Sequence, residues 1–227
     1  SKYTGGGHTL STNKISSLIV ADNTDCDTID VYDKNLTLIQ SIAVKDYLPS
    51  DFPYRNDFHL VRPHFTLFDD ATETFLVPLS WANAIIILHE VKGTLIVDNV
   101  FFPKISPDSY LKFISKFDGL IWIAEKDNWV GFELKERTLT ERKRISIPDE
   151  LKNQNYAVKI KNTMYVTCWG TGKIFCGSSL EAISKGNYKN SNDVFNFKGT
   201  PYFITHFDDT YWICEIVENQ GIHRFEV

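Results

Sequence analysis

Residues Ile114-Ser-Lys-Phe-Asp-Gly-Leu-Ile-Trp-Ile-Ala-Glu125 return, lightly altered, as Ile204-Thr-His-Phe-Asp-Asp-Thr-Tyr-Trp-Ile-Cys-Glu215. Each copy reads as an apolar strand, a two-residue turn at Asp118-Gly119 or Asp208-Asp209, and a strand of β-branched and aromatic residues. Asp-Gly between two such runs is a strong hairpin signal, because a tight type I′ turn needs two residues that tolerate left-handed φ. Looser copies of the second strand are Leu18-Ile-Val-Ala-Asp22, Phe75-Leu-Val-Pro-Leu79 and Tyr165-Val-Thr-Cys-Trp169. Anchored on Val20, Val77, Ile123, Thr167 and Ile213, the copies are spaced by 57, 46, 44 and 46 residues. Periods of this size in an all-β pattern signal propeller blades or a similar repeat array.

A third strand follows each anchor, at 28–33, 84–90, 129–134, 173–176 and 222–227, and a fourth is readable at 36–42, 94–100 and 143–147. The expected fold is all-β, a five-bladed β-propeller of four-stranded antiparallel blades. The chain resembles the five-bladed β-propeller superfamily over nearly its whole length. A sandwich or barrel is the alternative, but neither has a reason to repeat one turn chemistry at a steady interval. Residues 1–227 read as a single domain with blades near 8–44, 64–102, 111–148, 156–197 and 202–227. The last copy ends after three strands, so residues 1–4 are a candidate closing strand; an added strand would cover the open edge.

With 227 residues, 43% of them hydrophobic, the chain can bury a sizeable core. No apolar run approaches the length of a membrane-spanning helix. The start Ser1-Lys-Tyr-Thr4 lacks a signal-peptide profile, and a mature exported chain would have lost one, so cytoplasm and secretion both fit a soluble domain. A net charge of −5 argues against a dedicated nucleic-acid binder. The basic run 135–144 also contains acids and reads as a solvated hairpin. Cys26, Cys168, Cys176 and Cys214 lack close metal-site spacing and are expected as buried, reduced thiols.

In a propeller the first strand of each blade lines a central channel, and the copies align His8, His64, Lys112, Tyr156 and Tyr202 at its start. Imidazoles, an ammonium and phenols gathered in a partly desolvated space suit an anion such as a carboxylate, a phosphate or an acidic sugar. The bland alternative is a solvated channel mouth. A second register, at the end of the anchor strand, holds Asp22, Glu125 and Glu215, with Ser80 nearby and Trp169 in the fourth copy. These acids are candidates for acid/base pairing with the ring, or for bonding turn amides. The long connection 45–63 is a candidate lid carrying Arg55, His59 and Arg62, or a packed excursion. Residues 179–186 read as a short helix capped by Ser179.

No nucleophile elbow, phosphate loop or dinucleotide motif is present. Two histidines without an assured third ligand make a weak metal case, so no metal or other cofactor is expected. The resemblance to the propeller superfamily brings glycosidases to consideration. This chain departs from them, with His, Lys and Tyr where glycoside hydrolysis needs two placed acids. The expected function is binding, with turnover left open, of an anionic or polyhydroxylated small molecule over the ring. One alternative is a hydrolase or lyase with His8 or His64 as base, Lys112 stabilising an anion and Tyr156 or Tyr202 donating a proton. The other is a scaffold that binds proteins.

Overall fold

The computed structural model describes residues 9–52, 61–106, 109–215 and 221–226. The first sheet is β1 (Leu10–Thr12), β2 (Ile19–Asn23), β3 (Thr28–Tyr32) and β4 (Leu38–Ala43); the second is β5 (Leu67–Asp69), β6 (Thr74–Leu79), β7 (Ala84–Val91) and β8 (Thr94–Phe101). The third contains β9 (Ile114–Phe117), β10 (Leu120–Ala124), β11 (Asn128–Lys135) and β12 (Thr138–Ser146). The fourth contains β13 (Gln154–Ile160), β14 (Thr163–Cys168), β15 (Lys173–Gly177) and the two-residue β16 (Lys189–Asn190). The fifth has β17 (Pro201–Phe207), β18 (Thr210–Glu215) and β19 (Gly221–Glu226), three strands among the described residues. In every sheet the strands lie side by side in chain order. The fold is a five-bladed β-propeller.

The repeated hairpin forms as its turn chemistry dictates. Asp118 and Gly119 take φ of 51° and 76°, and Asp208 and Asp209 take 50° and 54°. Those turns set Phe117 opposite Leu120 and Phe207 opposite Thr210. The same hairpin then meets different surroundings. Phe117 is buried and stacks on Trp122 at 5.4 Å, whereas its counterpart Phe207 is 73% exposed.

The chain gathers into two compact units, Ser1–Lys126 with Phe132–Arg142, and Asp127–Gly131 with Lys143–Val227. The first has a core of aliphatic strand residues, among them Val20, Val31, Val77, Ile86 and Leu88. The alternation of the strands turns these residues inward. Val44, Leu48 and Val61 join that core, so both described ends of the long connection are packed, while 53–60 lies outside the described residues. The second unit is built on Ile174, Phe195, Phe197, Ile204, Tyr211 and Ile213. Its fourth sheet carries α1 (Leu180–Ser184), capped by Ser179 Oγ accepting from Ala182 N at 3.1 Å, and α2 (Asn192–Phe195).

Two expectations are corrected. Cys26 is exposed rather than buried, while all four cysteines are free thiols and Cys168 is the one fully enclosed. The fourth copy is also shifted by one residue. Gln154 pairs with Cys168 and Tyr156 with Thr167, just as Pro201 pairs with Glu215 and Phe203 with Cys214. The position matching Tyr202 is therefore Asn155, not Tyr156, because strand pairing sets Thr167 level with Cys214 rather than Ile213; both first strands carry one extra residue at that place, a bulge. Such a bulge re-aims the side chain at its centre.

Candidate functional site

In the first unit the segment that enters the second blade is held at several backbone groups. Arg62 N donates to Asp27 Oδ1 at 2.9 Å, and Pro63 O accepts from Thr24 Oγ1 at 2.9 Å. His64 N donates to Pro78 O at 2.8 Å, and Thr66 N to Thr9 Oγ1 at 2.6 Å. Within this clamp Arg62 and Phe65 take φ of 39° and 69°. Left-handed conformations are costly for such side chains and persist where the surroundings over-determine them, commonly at functional sites. Pro63 pairs with Leu79 and Leu67 with Leu76, so one extra residue lies between Pro63 and Leu67. His64 falls in that bulge.

Ser80, fully buried at the end of β6, gathers the neighbouring segments. Its N–H donates to Arg62 O at 2.9 Å, its carbonyl accepts from Leu111 N at 3.1 Å, and its hydroxyl donates to Leu111 O at 2.9 Å. The Ser80 hydroxyl also acts on the Tyr110 phenol, lowering its pKa. One serine thus fixes Arg62 and Leu111, and Tyr110 and Lys112 flank Leu111 in the chain. Lys112 N donates to Ala124 O at 3.2 Å, matching the bond His64 N makes to Pro78 O, so His64 and Lys112 occupy equivalent positions.

The side chains form a graded series. Trp81 is 42% exposed and meets Tyr110 edge-on, with ring centres 4.7 Å apart and planes at 70°. Tyr110 lies 5.8 Å from the His64 ring, which is buried and contacts Phe65 at 4.7 Å. Burial is the main influence on the Tyr110 phenol and pushes its pKa above the ordinary 10.0, and the Asp22 charge acts the same way. The Ser80 hydrogen bond and the Arg62 charge oppose it. The phenol therefore keeps its proton at neutral pH beside a guanidinium, a buried imidazole and a carboxylate. Such a group can donate to a developing or resident negative oxygen.

The acidic register has a consistent structural role. Asp22 accepts from Thr9 N at 2.9 Å, Glu125 from Ser106 N at 3.3 Å and Ser109 Oγ at 3.4 Å, and Glu215 from Thr200 N at 3.0 Å. Each buried carboxylate, at the end of the second strand, grips the segment that enters the first strand of its own blade. Hydrogen bonds of this charged kind offset the cost of burying the acid. In the second and fourth sheets Leu79 and Cys168 hold the paired position, and Ser80 and Trp169 come one residue later.

In the second unit Tyr156 is half-buried and stacks on Phe203 at 4.2 Å. Tyr202 is half-buried, and its carbonyl accepts from Thr167 Oγ1 at 2.8 Å. Asn155, at the bulge, reaches Pro201 O at 3.5 Å, while Trp169 is 51% exposed. Of the expected residues, Asp22, Arg62 and His64 come together about Tyr110; Lys112 and Glu125 lie in the same unit, and Tyr156, Tyr202, Trp169 and Glu215 lie in the second. His8, Arg55 and His59 lie outside the described residues, as do residues 1–4. Sequence reasoning missed Tyr110 and Trp81, although Trp81 follows Ser80 directly and Tyr110 stands two places before Lys112. Among the described residues no group of three or more His, Cys, Asp or Glu side chains is placed to hold a metal ion. No described helix is long and apolar enough to cross a membrane.

No family model and no curated protein matches the chain. Solved structures do resemble it. A streptogramin B lyase shares 14% identity at a TM-score of 0.63, over 98% of this chain and 69% of that one. A catalytically inactive histidine-to-alanine virginiamycin B lyase from Staphylococcus aureus, determined with quinupristin, shares 14% identity at 0.64, over 98% and 70%. A putative 6-phosphogluconolactonase from Bacteroides fragilis shares 13% at 0.64, over 96% of this chain and 65% of that chain. These neighbours are lyase and lactonase propellers, and at such identities the likeness establishes the propeller fold alone.

Proposed function

We propose that the first unit binds an anionic or polyhydroxylated small molecule at the strand ends around Ser80. The observation that carries this is the arrangement about Tyr110, whose ring packs edge-on against both the buried His64 ring and the exposed Trp81 and whose phenol lies under the influence of Ser80, Arg62 and Asp22. In this reading Arg62 and Lys112 supply positive charge to a carboxylate or phosphate. Tyr110 donates to an oxygen, and His64 beneath it completes the donor set. His8 belongs to the proposal through its place in the repeat, while Tyr202 and Tyr156 are proposed as ligand-binding candidates of the second unit taken by itself. Arg55, His59 and Glu125 stay in it as secondary ligand-binding candidates, and Trp169 and Glu215 are such candidates of the second unit taken by itself.

A second reading, turnover, is favoured by one feature: a protonated phenol and an imidazole in contact form an acid/base pair suited to opening a lactone or eliminating across an ester. Lyases and lactonases among the structural neighbours agree with it. The test is calorimetric titration with methyl β-D-glucuronide and D-gluconate, together with glucono-δ-lactone hydrolysis followed at constant pH. His64→Gln and Lys112→Ala are each expected to weaken binding by about ten- to a hundredfold, the loss of one charge-assisted hydrogen bond. Binding unchanged in both variants rejects the site. Tight binding of a lactone that is never converted rejects turnover and leaves binding standing.

A further inference from the structure

Trp81 stands 42% exposed at the site's outer edge, yet it is not a loose surface residue. Its ring is braced at 4.7 Å by Tyr110, and Tyr110 directly precedes Leu111, which Ser80 ties to the clamped segment around Arg62. Four rings follow one another inward, Trp81, Tyr110, His64 and Phe65, with planes turned 70°, 63° and 76° between successive members. The exposed end is therefore a corner made by two rigid aromatic groups, with charge at its inner side from Arg62 and Asp22.

Resting on the site reading above, we infer that the ligand is cyclic, with the C–H face of its ring lying on Trp81 and its anionic or carbonyl oxygen turned toward Arg62, Tyr110 and Lys112. The negative π face of an indole attracts the weakly positive C–H hydrogens of a sugar-like ring, and a rigid aromatic surface loses little entropy on binding. An open-chain polyol with the same charge presents no continuous C–H face. The oxygen-binding groups serve both kinds of molecule, whereas Trp81 serves only the ring. This makes Trp81 the residue that separates cyclic from open-chain ligands.

Methyl β-D-glucuronide and D-gluconate test this, because both are singly charged polyhydroxylated acids and only the first is closed. Titrations of the wild type, Trp81→Ala, Trp81→Phe, His64→Gln and Lys112→Ala are compared, with thermal melts to confirm folding. The wild type is expected to prefer the glucuronide. Trp81→Ala should weaken that ligand about tenfold and shift gluconate less than about twofold, the loss expected of one aromatic stacking contact, and Trp81→Phe should keep most of the preference. Equal change toward both ligands in Trp81→Ala, no change toward either, or a wild-type preference for gluconate overturns the inference while the site stands. Wild-type protein that binds neither acid, or His64→Gln and Lys112→Ala proteins that bind both normally, overturns the site and the inference together.

Discussion

Gly199 shows how far a single position can be constrained in this chain. A β-carbon there would sit 2.3 Å from Glu215 Oε2, and that carboxylate is buried, bound by Thr200 N at 3.0 Å and paired with His223 at 3.1 Å. The acid has nowhere to move. Gly199→Ala is expected to destabilise the protein by about 1–3 kcal/mol, the usual cost of overpacking, measured by urea unfolding. A second residue-scale expectation concerns alkaline pH. Burial raises the pKa of both the Tyr110 and the Tyr165 phenol above 10.0, and for Tyr165 the hydrogen bond with Tyr211 adds to it. The folded state then holds these protons more tightly than the unfolded chain. Their contribution is complete below the unfolded value and is lost as pH rises from about 10 toward the raised folded values. Urea midpoints should fall over that range, and the fall should be shallower in Tyr110→Phe and Tyr165→Phe.

At the scale of elements, the sequence was most legible where local chemistry alone decides the backbone. Asp118-Gly119 and Asp208-Asp209 take the left-handed turns their residue types favour. Ser179 caps α1 as its position before Leu180 suggests, and Ser179→Ala is expected to cost about 1 kcal/mol, checked by chemical denaturation. What was not legible is the bulge at the entrance of the first strands. One inserted residue leaves the hydrophobic alternation on either side intact, yet it moves every side chain before it to the other face. A one-residue slip of the second strand was also hidden: matching Thr167 to Ile213, where strand pairing sets Val166, chose Tyr156 instead of Asn155. Ser80 was equally obscured, since its part depends on backbone groups from segments far apart in the chain. Tyr110 and Trp81 carry no motif of their own, and their meaning comes from ring contacts with residues 46 and 29 positions away from His64 and Tyr110, respectively.

At the scale of the whole molecule, five hairpin-based sheets repeat one construction while each copy diverges at the strand ends. The carboxylates Asp22, Glu125 and Glu215 secure the strand entrances of three blades, and this frees the register of His64 and Lys112 to carry other chemistry. Binding in the first unit around Ser80 is the central claim. Its most direct test is calorimetric titration of methyl β-D-glucuronide into the wild type and the Lys112→Ala variant at neutral pH, repeated at high salt. A salt-sensitive wild-type affinity that falls about tenfold or more in the variant is the predicted result, as for an anion held by a lysine. Equal affinities in the two proteins, or no binding by the wild type, would contradict it.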